Sequence, residues 1–138
     1  MKNWMIPLAV AAATLGAGAA WAGDAAKGEN IFKRCKSCHA ITAHDGTAIV
    51  KGGKTGPDLY GIVGRGVAAD EAFKYSESLA AAGAAGAVWD EASLAAYVAD
   101  PGAWLKETLG DSSAKSKMTF KLKKGGEDLA AYLATLTD

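Results

Sequence analysis

Side chains that bind metals or take part in redox chemistry are scarce in this sequence. Its 138 residues include only two cysteines, two histidines and three methionines, so such chemistry must draw on a short set. Net charge is also absent, because 15 Lys and Arg balance 15 Asp and Glu. Nucleic-acid binding usually needs a strongly basic surface and is therefore disfavoured. Half of the residues are apolar, which excludes a wholly disordered chain, and the length suits one domain.

The first 22 residues predict an export signal. Lys2 precedes an uncharged segment, residues 4–22, which is rich in Ala and Gly and ends in Ala20, Trp21 and Ala22. A positive start, an apolar middle and a small-residue exit are typical of a cleaved signal peptide. An uncleaved membrane anchor is the alternative, since an uncharged segment of this length could just span a bilayer. We expect residues 1–22 to be removed and residues 23–138 to form the domain.

The remaining chain predicts an all-α domain with long loops. A first helix begins after Asp24, a plausible N-cap, and later helices are expected over residues 70–82, 91–99, 101–109 and 126–137. Residues 80–87 predict a mobile Ala/Gly turn. The glycine-rich residues 40–65 and the lysine-rich residues 111–124 predict loops, and no alternating pattern predicts a strand.

Both cysteines lie in one motif, Cys35-Lys36-Ser37-Cys38-His39. This is the C-x-x-C-H pattern of haem c attachment, in which each thiol adds to one haem vinyl group and the histidine lies under the iron. A redox-active disulfide is an alternative, but it needs a βαβ setting that this chain lacks. Zinc bound by both cysteines, His39 and His44 is another, although structural zinc sites usually draw ligand pairs from separated segments. Coincidence is the third. The export signal and the absence of strands favour haem c.

The ligand on the other face of the iron would separate a carrier from an enzyme or sensor. His44 follows His39 closely and is expected to be a surface loop histidine. Met118 lies far downstream in a polar, lysine-rich segment. A lone methionine is often core filler, but a thioether ligand here would raise the reduction potential of the haem.

Three motifs in this order resemble class I c-type cytochromes, most closely the bacterial cytochrome c2 and c550 group. They are Cys35–His39, residues 55–61 (TGPDLYG) and residues 117–120 (KMTF). The resemblance covers residues 23–138 and implies that Met118 is the sixth ligand. It also implies that the Pro57 carbonyl accepts a hydrogen bond from His39. The residues that it places beside the haem propionates or the methionine sulfur are Arg65, Tyr75, Trp89 and Tyr97.

The same resemblance implies a soluble, monomeric periplasmic carrier of single electrons, with one covalent haem c and no catalytic turnover. Its electron donor would be a bc1-type complex, and its acceptor a terminal oxidase, a photosynthetic reaction centre or a peroxidase. The chain would neither bind nucleic acid nor embed in the membrane. The rival hypothesis is a haem enzyme or gas sensor, which would need an open or displaceable sixth position on the iron.

The zero net charge conceals an uneven distribution. Residues 27–54 carry six basic and two acidic side chains, as do residues 106–124, whereas residues 55–105 carry two basic and seven acidic ones. The two positive segments contain the cysteine motif and Met118. A positive face around the haem would orient the chain towards acidic partners. We expect the docking residues to be Lys33, Lys36, Lys54, Lys115, Lys117, Lys121, Lys123 and Lys124.

Overall fold

The first and last helices cross at a glycine. A computed structural model of the chain describes residues 23–138, so the signal peptide predicted for residues 1–22 lies outside the described part. Helix α1 spans Ala25–Phe32 and α5 spans Gly126–Ala134. A Cβ atom on Gly28 would collide with the Asp128 carbonyl group and lie 2.7 Å from Tyr132 Cβ. Only glycine therefore allows this approach, which also brings the rings of Phe32 and Tyr132 to 6.0 Å.

Two further helices begin and end at the residues that the sequence predicts. Helix α3 spans Glu91–Ala99 and α4 spans Pro101–Leu109. The Asp90 carboxylate accepts a hydrogen bond from the Ser93 N–H at 2.7 Å, and Ser93 Oγ accepts one from the Asp90 N–H at 2.9 Å. This reciprocal cap satisfies N–H groups that the first turn leaves unpaired. Gly110 ends α4 with a φ of 61°.

The expectation of a helix from residue 70 is wrong. Helix α2 spans Glu77–Ala84, so it begins later and also includes part of the predicted mobile turn. Asp70 instead folds its own segment into a turn, because its carboxylate accepts from the Ala72 N–H at 2.9 Å. Ser76 caps α2 by accepting from the Leu79 N–H at 3.1 Å. Ala82 has no exposed surface, so the alanine-rich face of α2 is turned towards the interior of the protein.

The expectation of no strand is also wrong in one place. Strands β1 (Ile41–Thr42) and β2 (Ala48–Val50) pair antiparallel, with Ile41 opposite Val50. They are too short to show an alternating pattern. Their turn closes through a hydrogen bond from the Ala43 N–H to the Thr47 carbonyl at 2.9 Å. Ile41 is fully buried, so the hairpin packs the segment that follows the cysteine motif against the core.

Helices dominate the described part of the chain, which confirms the predicted all-α class with a two-stranded hairpin added. Helix α5 ends at Ala134, slightly before the predicted residue 137. Within residues 23–138, no helix has both the length and the hydropathy to cross a membrane.

Candidate functional site

A cavity of about 420 Å³ lies between the cysteine motif and the lysine-rich loop. Its walls are mostly apolar and come from α1, α2, α3 and α5 as well as the glycine-rich loop. The cavity is lined by Cys35, Cys38, His39 and Met118. The fold therefore brings together the four side chains that the sequence predicts to attach and ligate a haem.

The cysteine motif continues α1 as a series of tight turns. The Cys38 and His39 N–H groups both donate to the Cys35 carbonyl, at 3.1 and 3.0 Å. Both thiols are free, so the predicted alternative of a disulfide is not formed. Burial raises the pKa of the Cys35 thiol, which stays protonated and uncharged at neutral pH. Two free thiols on one turn suit addition to the two vinyl groups of a haem.

His39 is held by two neighbours in the glycine-rich loop. Its Nδ1 lies 2.8 Å from the Pro57 carbonyl oxygen, which can only accept, so Nδ1 carries the proton and Nε2 keeps its lone pair. Gly56 lies flat against the ring, where a Cβ atom would be 2.6 Å from Nδ1 and 2.7 Å from Nε2. Burial lowers the pKa of His39, against smaller opposing effects of Pro57 and Asp58. The neutral imidazole is thus oriented before any ligand binds.

Met118 lies in residues 115–121, here called the Met118 segment. Ser116 Oγ donates to the Met118 carbonyl at 2.9 Å and fixes the backbone at the methionine. Tyr97 lines the same side of the cavity and is 9% exposed. Burial raises the pKa of Tyr97, opposed by a hydrogen bond with the Ser116 side chain. The tyrosine therefore keeps its proton at neutral pH, so its hydroxyl remains a hydrogen-bond donor.

The other three residues predicted to contact the haem also line the cavity. Trp89 is 5% exposed, and Tyr75 and Arg65 are half-buried. The Arg65 guanidinium donates to the Asp58 carbonyl at 3.2 Å and to the Tyr60 carbonyl at 3.4 Å, so it is anchored at the back of the glycine-rich loop. These donors give an otherwise apolar wall a polar stretch that suits buried carboxylates.

The residues present fit a haem. Two free thiols, an imidazole with Nε2 available and a thioether surround an apolar cavity. A zinc site does not fit, because no group of three His, Cys, Asp or Glu residues gathers between residues 23 and 138. His44 is exposed and lies 3.3 Å from the Asp138 carboxylate, as expected of a surface histidine.

Basic residues lie at the edge of the cavity. Lys117 and Arg34 line it, and the Arg34 guanidinium lies 5.3 Å from the centre of the Phe120 ring. Lys121 pairs with Asp100 at 3.2 Å, so it is partly neutralised. All the lysines predicted to dock partners are exposed, namely Lys33, Lys36, Lys54, Lys115, Lys117, Lys121, Lys123 and Lys124.

Sequence reasoning missed three residues that support this site. Trp104 stacks on Trp89 with ring centres 5.0 Å apart and meets Tyr97 edge-on at 5.5 Å, so it fixes both cavity-lining rings from behind. Ser116 donates to the Met118 carbonyl from within the Met118 segment, and Ser78 accepts from the Lys115 N–H of that segment. Of these three, only Trp104 could have been recognised from the sequence, because it is a tryptophan in the first turns of a predicted helix.

Comparison with known proteins identifies similar chains. The chain is 59% identical to cytochrome c2 of Rhodobacter capsulatus over 136 residues, which cover 99% of this chain and 98% of that one. It is 57% identical to cytochrome c-550 of Paracoccus pantotrophus over 114 residues, covering 81% and 85%. The solved structure of the Rhodobacter capsulatus protein superposes with a TM-score of 0.81 at 61% identity, over 82% of this chain and 97% of that one. No family model matches.

Helices around a cavity that joins C-x-x-C-H to a distant methionine are the architecture of class I c-type cytochromes. The chain belongs to the cytochrome c2 and c-550 family. It carries one covalently bound haem c and is an electron-transfer protein that works with partner redox proteins, not an enzyme. These findings confirm the predicted family, fold, cofactor and general role.

Proposed function

We propose that Cys35 and Cys38 bind the haem through thioether bonds, that His39 and Met118 are its axial ligands, and that the chain shuttles single electrons in the periplasm. The observation that carries this proposal is the shared cavity. Its wall contains both free thiols, the imidazole and the thioether, although Met118 lies far along the chain from the others. Each thioether bond would form by addition of a thiol S–H across a vinyl double bond, so no leaving group is released.

When bound, the haem supplies one-electron exchange between ferric and ferrous iron. The chain sets the conditions for that exchange. The Pro57 carbonyl accepts a hydrogen bond from the Nδ1–H of His39, which makes the imidazole a stronger ligand through Nε2. The thioether of Met118 favours the ferrous state and raises the reduction potential. Apolar walls exclude water, and Arg65, Tyr75 and Trp89 can hydrogen-bond the haem carboxylates.

The proposed location is the periplasm, after removal of residues 1–22. This is supported by the sequence of the signal and by the similarity to cytochrome c2 and c-550 proteins. The proposed electron donor is a bc1-type complex, and the acceptor a terminal oxidase, a photosynthetic reaction centre or a peroxidase. We propose that the protein is monomeric and soluble, so that it can diffuse between them.

Partner binding is proposed to occur at the edge of the cavity where the basic residues lie. Lys117 lines the cavity, and Lys115 and Lys123 are exposed on either side of it in the sequence. Charges in this position would speed encounter with acidic partners and would be screened by salt. Such complexes are brief, as a carrier that must leave quickly requires.

The proposal can be tested with the exported holoprotein and membranes that contain a bc1-type complex. We expect rapid reduction of the protein, with a rate that falls as ionic strength rises, and a mass equal to residues 23–138 plus one haem. Absence of reduction by such membranes would contradict the proposed role as an electron carrier. A reduction rate that does not depend on salt would contradict the proposed docking surface. A high-spin ferric iron that binds peroxide or gases would favour the rival enzyme or sensor.

A further inference from the structure

The Met118 segment has few hydrogen bonds to the rest of the molecule. Among the described residues, no backbone–backbone hydrogen bond involves residues 115–121. The segment is held at its ends by burial, since Ala114 is 4% exposed and Leu122 is 1% exposed. Leu122 also donates its N–H to the Val98 carbonyl at 2.7 Å. Between these ends, interactions of side chains therefore determine how firmly Met118 is held.

Ser78 supplies such a side chain. Its Oγ accepts a hydrogen bond from the Lys115 N–H at 3.0 Å, across 37 positions of sequence. The other side-chain hydrogen bond to the backbone of the segment joins Ser116 to Met118 and is internal to it. Within residues 23–138, the Ser78 hydroxyl is therefore the one group outside the segment that hydrogen-bonds its backbone.

Helix α2 is a firm support for this bond. Ser78 is half-buried in the first turn, directly after the cap formed by Ser76 and the Leu79 N–H. Ser76 and Leu79 line the cavity, while Ser78 reaches Lys115. One helical turn thus forms part of the cavity wall and also holds the beginning of the Met118 segment.

We propose that Ser78 is a positioning residue that fastens the Met118 segment to α2 and so limits how often Met118 leaves the iron. This inference rests on the proposed ligation by Met118. A small exogenous ligand binds only to the fraction of molecules from which Met118 has left, so its apparent affinity reports that fraction. Loss of one hydrogen bond should raise the fraction, and hence the affinity, about two- to tenfold.

The test compares three variants of the full-chain ferric holoprotein with the unsubstituted protein. Ser78→Ala removes the hydroxyl without weakening the helix, because alanine is a better helix former than serine. Ser78→Thr restores a hydroxyl. Ser112→Ala is the matched control, since Ser112 is exposed and its side chain makes no hydrogen bond within residues 23–138. The measurements are imidazole titration followed by the haem spectrum, and amide hydrogen exchange of residues 115–121.

We expect Ser78→Ala to bind imidazole more tightly and to exchange the Lys115 amide faster, both by about two- to tenfold. Ser78→Thr and Ser112→Ala should match the unsubstituted protein. Unchanged exchange in Ser78→Ala would overturn the inference. Faster exchange with unchanged imidazole affinity would also overturn it, because the hydroxyl would then hold the backbone without holding Met118 on the iron.

Failure of the underlying ligation is distinguishable from failure of the Ser78 role. If Met118 is not a ligand, Met118→Ala binds imidazole no more tightly than the unsubstituted protein, and both proposals fall. If Met118→Ala gains affinity while Ser78→Ala does not, only the positioning role of Ser78 falls.

Discussion

Replacement of Gly56 by alanine tests how closely the glycine-rich loop supports His39. The new Cβ atom would lie 2.6 Å from Nδ1 and 2.7 Å from Nε2, and closer still to Cε1. Carbon atoms normally approach to about 3.5–4.0 Å, so the ring or the loop must retreat by about 1 Å. The hydrogen bond of 2.8 Å between His39 and Pro57 cannot survive such a shift without moving the loop as well.

The expected loss of stability combines two effects. Overpacking of a close-packed site costs about 1–3 kcal/mol, and loss of one hydrogen bond about 0.5–1.5 kcal/mol. We therefore expect Gly56→Ala to lower the free energy of unfolding of the holoprotein by about 2–4 kcal/mol. The assay is denaturant unfolding followed by the haem spectrum, since displacement of His39 also alters the ferric spin state.

Gly102→Ala is the matched control. Gly102 lies in α4, where the nearest atom to a new Cβ is an Asp100 oxygen at 3.7 Å, an ordinary contact. Alanine there should leave stability unchanged or raise it by up to about 1 kcal/mol. If Gly56→Ala matches Gly102→Ala in stability and spectrum, the close support of His39 by this loop is wrong.

Three further predictions concern the helix crossing, a helix cap and partner docking. Gly28→Ala should cost about 2 kcal/mol or more in thermal unfolding, because its Cβ meets the backbone of Asp128, and near-normal stability would contradict the tight crossing. Asp90→Ala should cost about 1 kcal/mol at neutral pH through loss of the cap of α3. Hydrogen bonds from Ser93 lower the pKa of Asp90, so this stabilisation exists above the unfolded pKa and fades as pH falls through the folded one. A difference between the two proteins that persists in strong acid would contradict that assignment. Lys123→Glu should slow reduction by bc1-containing membranes roughly two- to tenfold at low salt, whereas Lys74→Glu, in the acidic part of the sequence, should not. Equal rates for the two variants would contradict the docking surface.

The sequence predicts most of the helices because their signals are local. Asp24, Asp90 and Asp100 each accept hydrogen bonds from the first turn of a helix, and Gly110 ends α4 in a left-handed conformation. Start and stop residues of this kind act within a few positions, so they can be read without the fold. Helix α2 was misplaced because a short alanine-rich stretch has no apolar periodicity, and burial of Ala82 decides its position.

The candidate site likewise has a part that local sequence predicts and a part that depends on packing between distant segments. The cysteine motif is contiguous, so its chemistry follows from spacing alone. The bond between His39 and Pro57 could be predicted only through the family resemblance, because the two residues lie in different segments. The close approach of Gly56 to His39 and the stacking of Trp104 on Trp89 were not predicted, because they depend on packing between segments that are distant in sequence. Ser78 is the clearest example of what sequence reasoning misses. Its hydroxyl resembles any other in a helix, and only the packing of α2 beside the Met118 segment reveals its partner.

The most direct test of ligation by His39 and Met118 is the ferric absorption spectrum at neutral pH, compared between the unsubstituted holoprotein and Met118→Ala. Ligation by His39 and Met118 predicts a low-spin spectrum with the weak long-wavelength iron–sulfur charge-transfer band, and loss of that band in Met118→Ala. A band that is absent from the unsubstituted protein, or that survives in Met118→Ala, would contradict ligation by Met118.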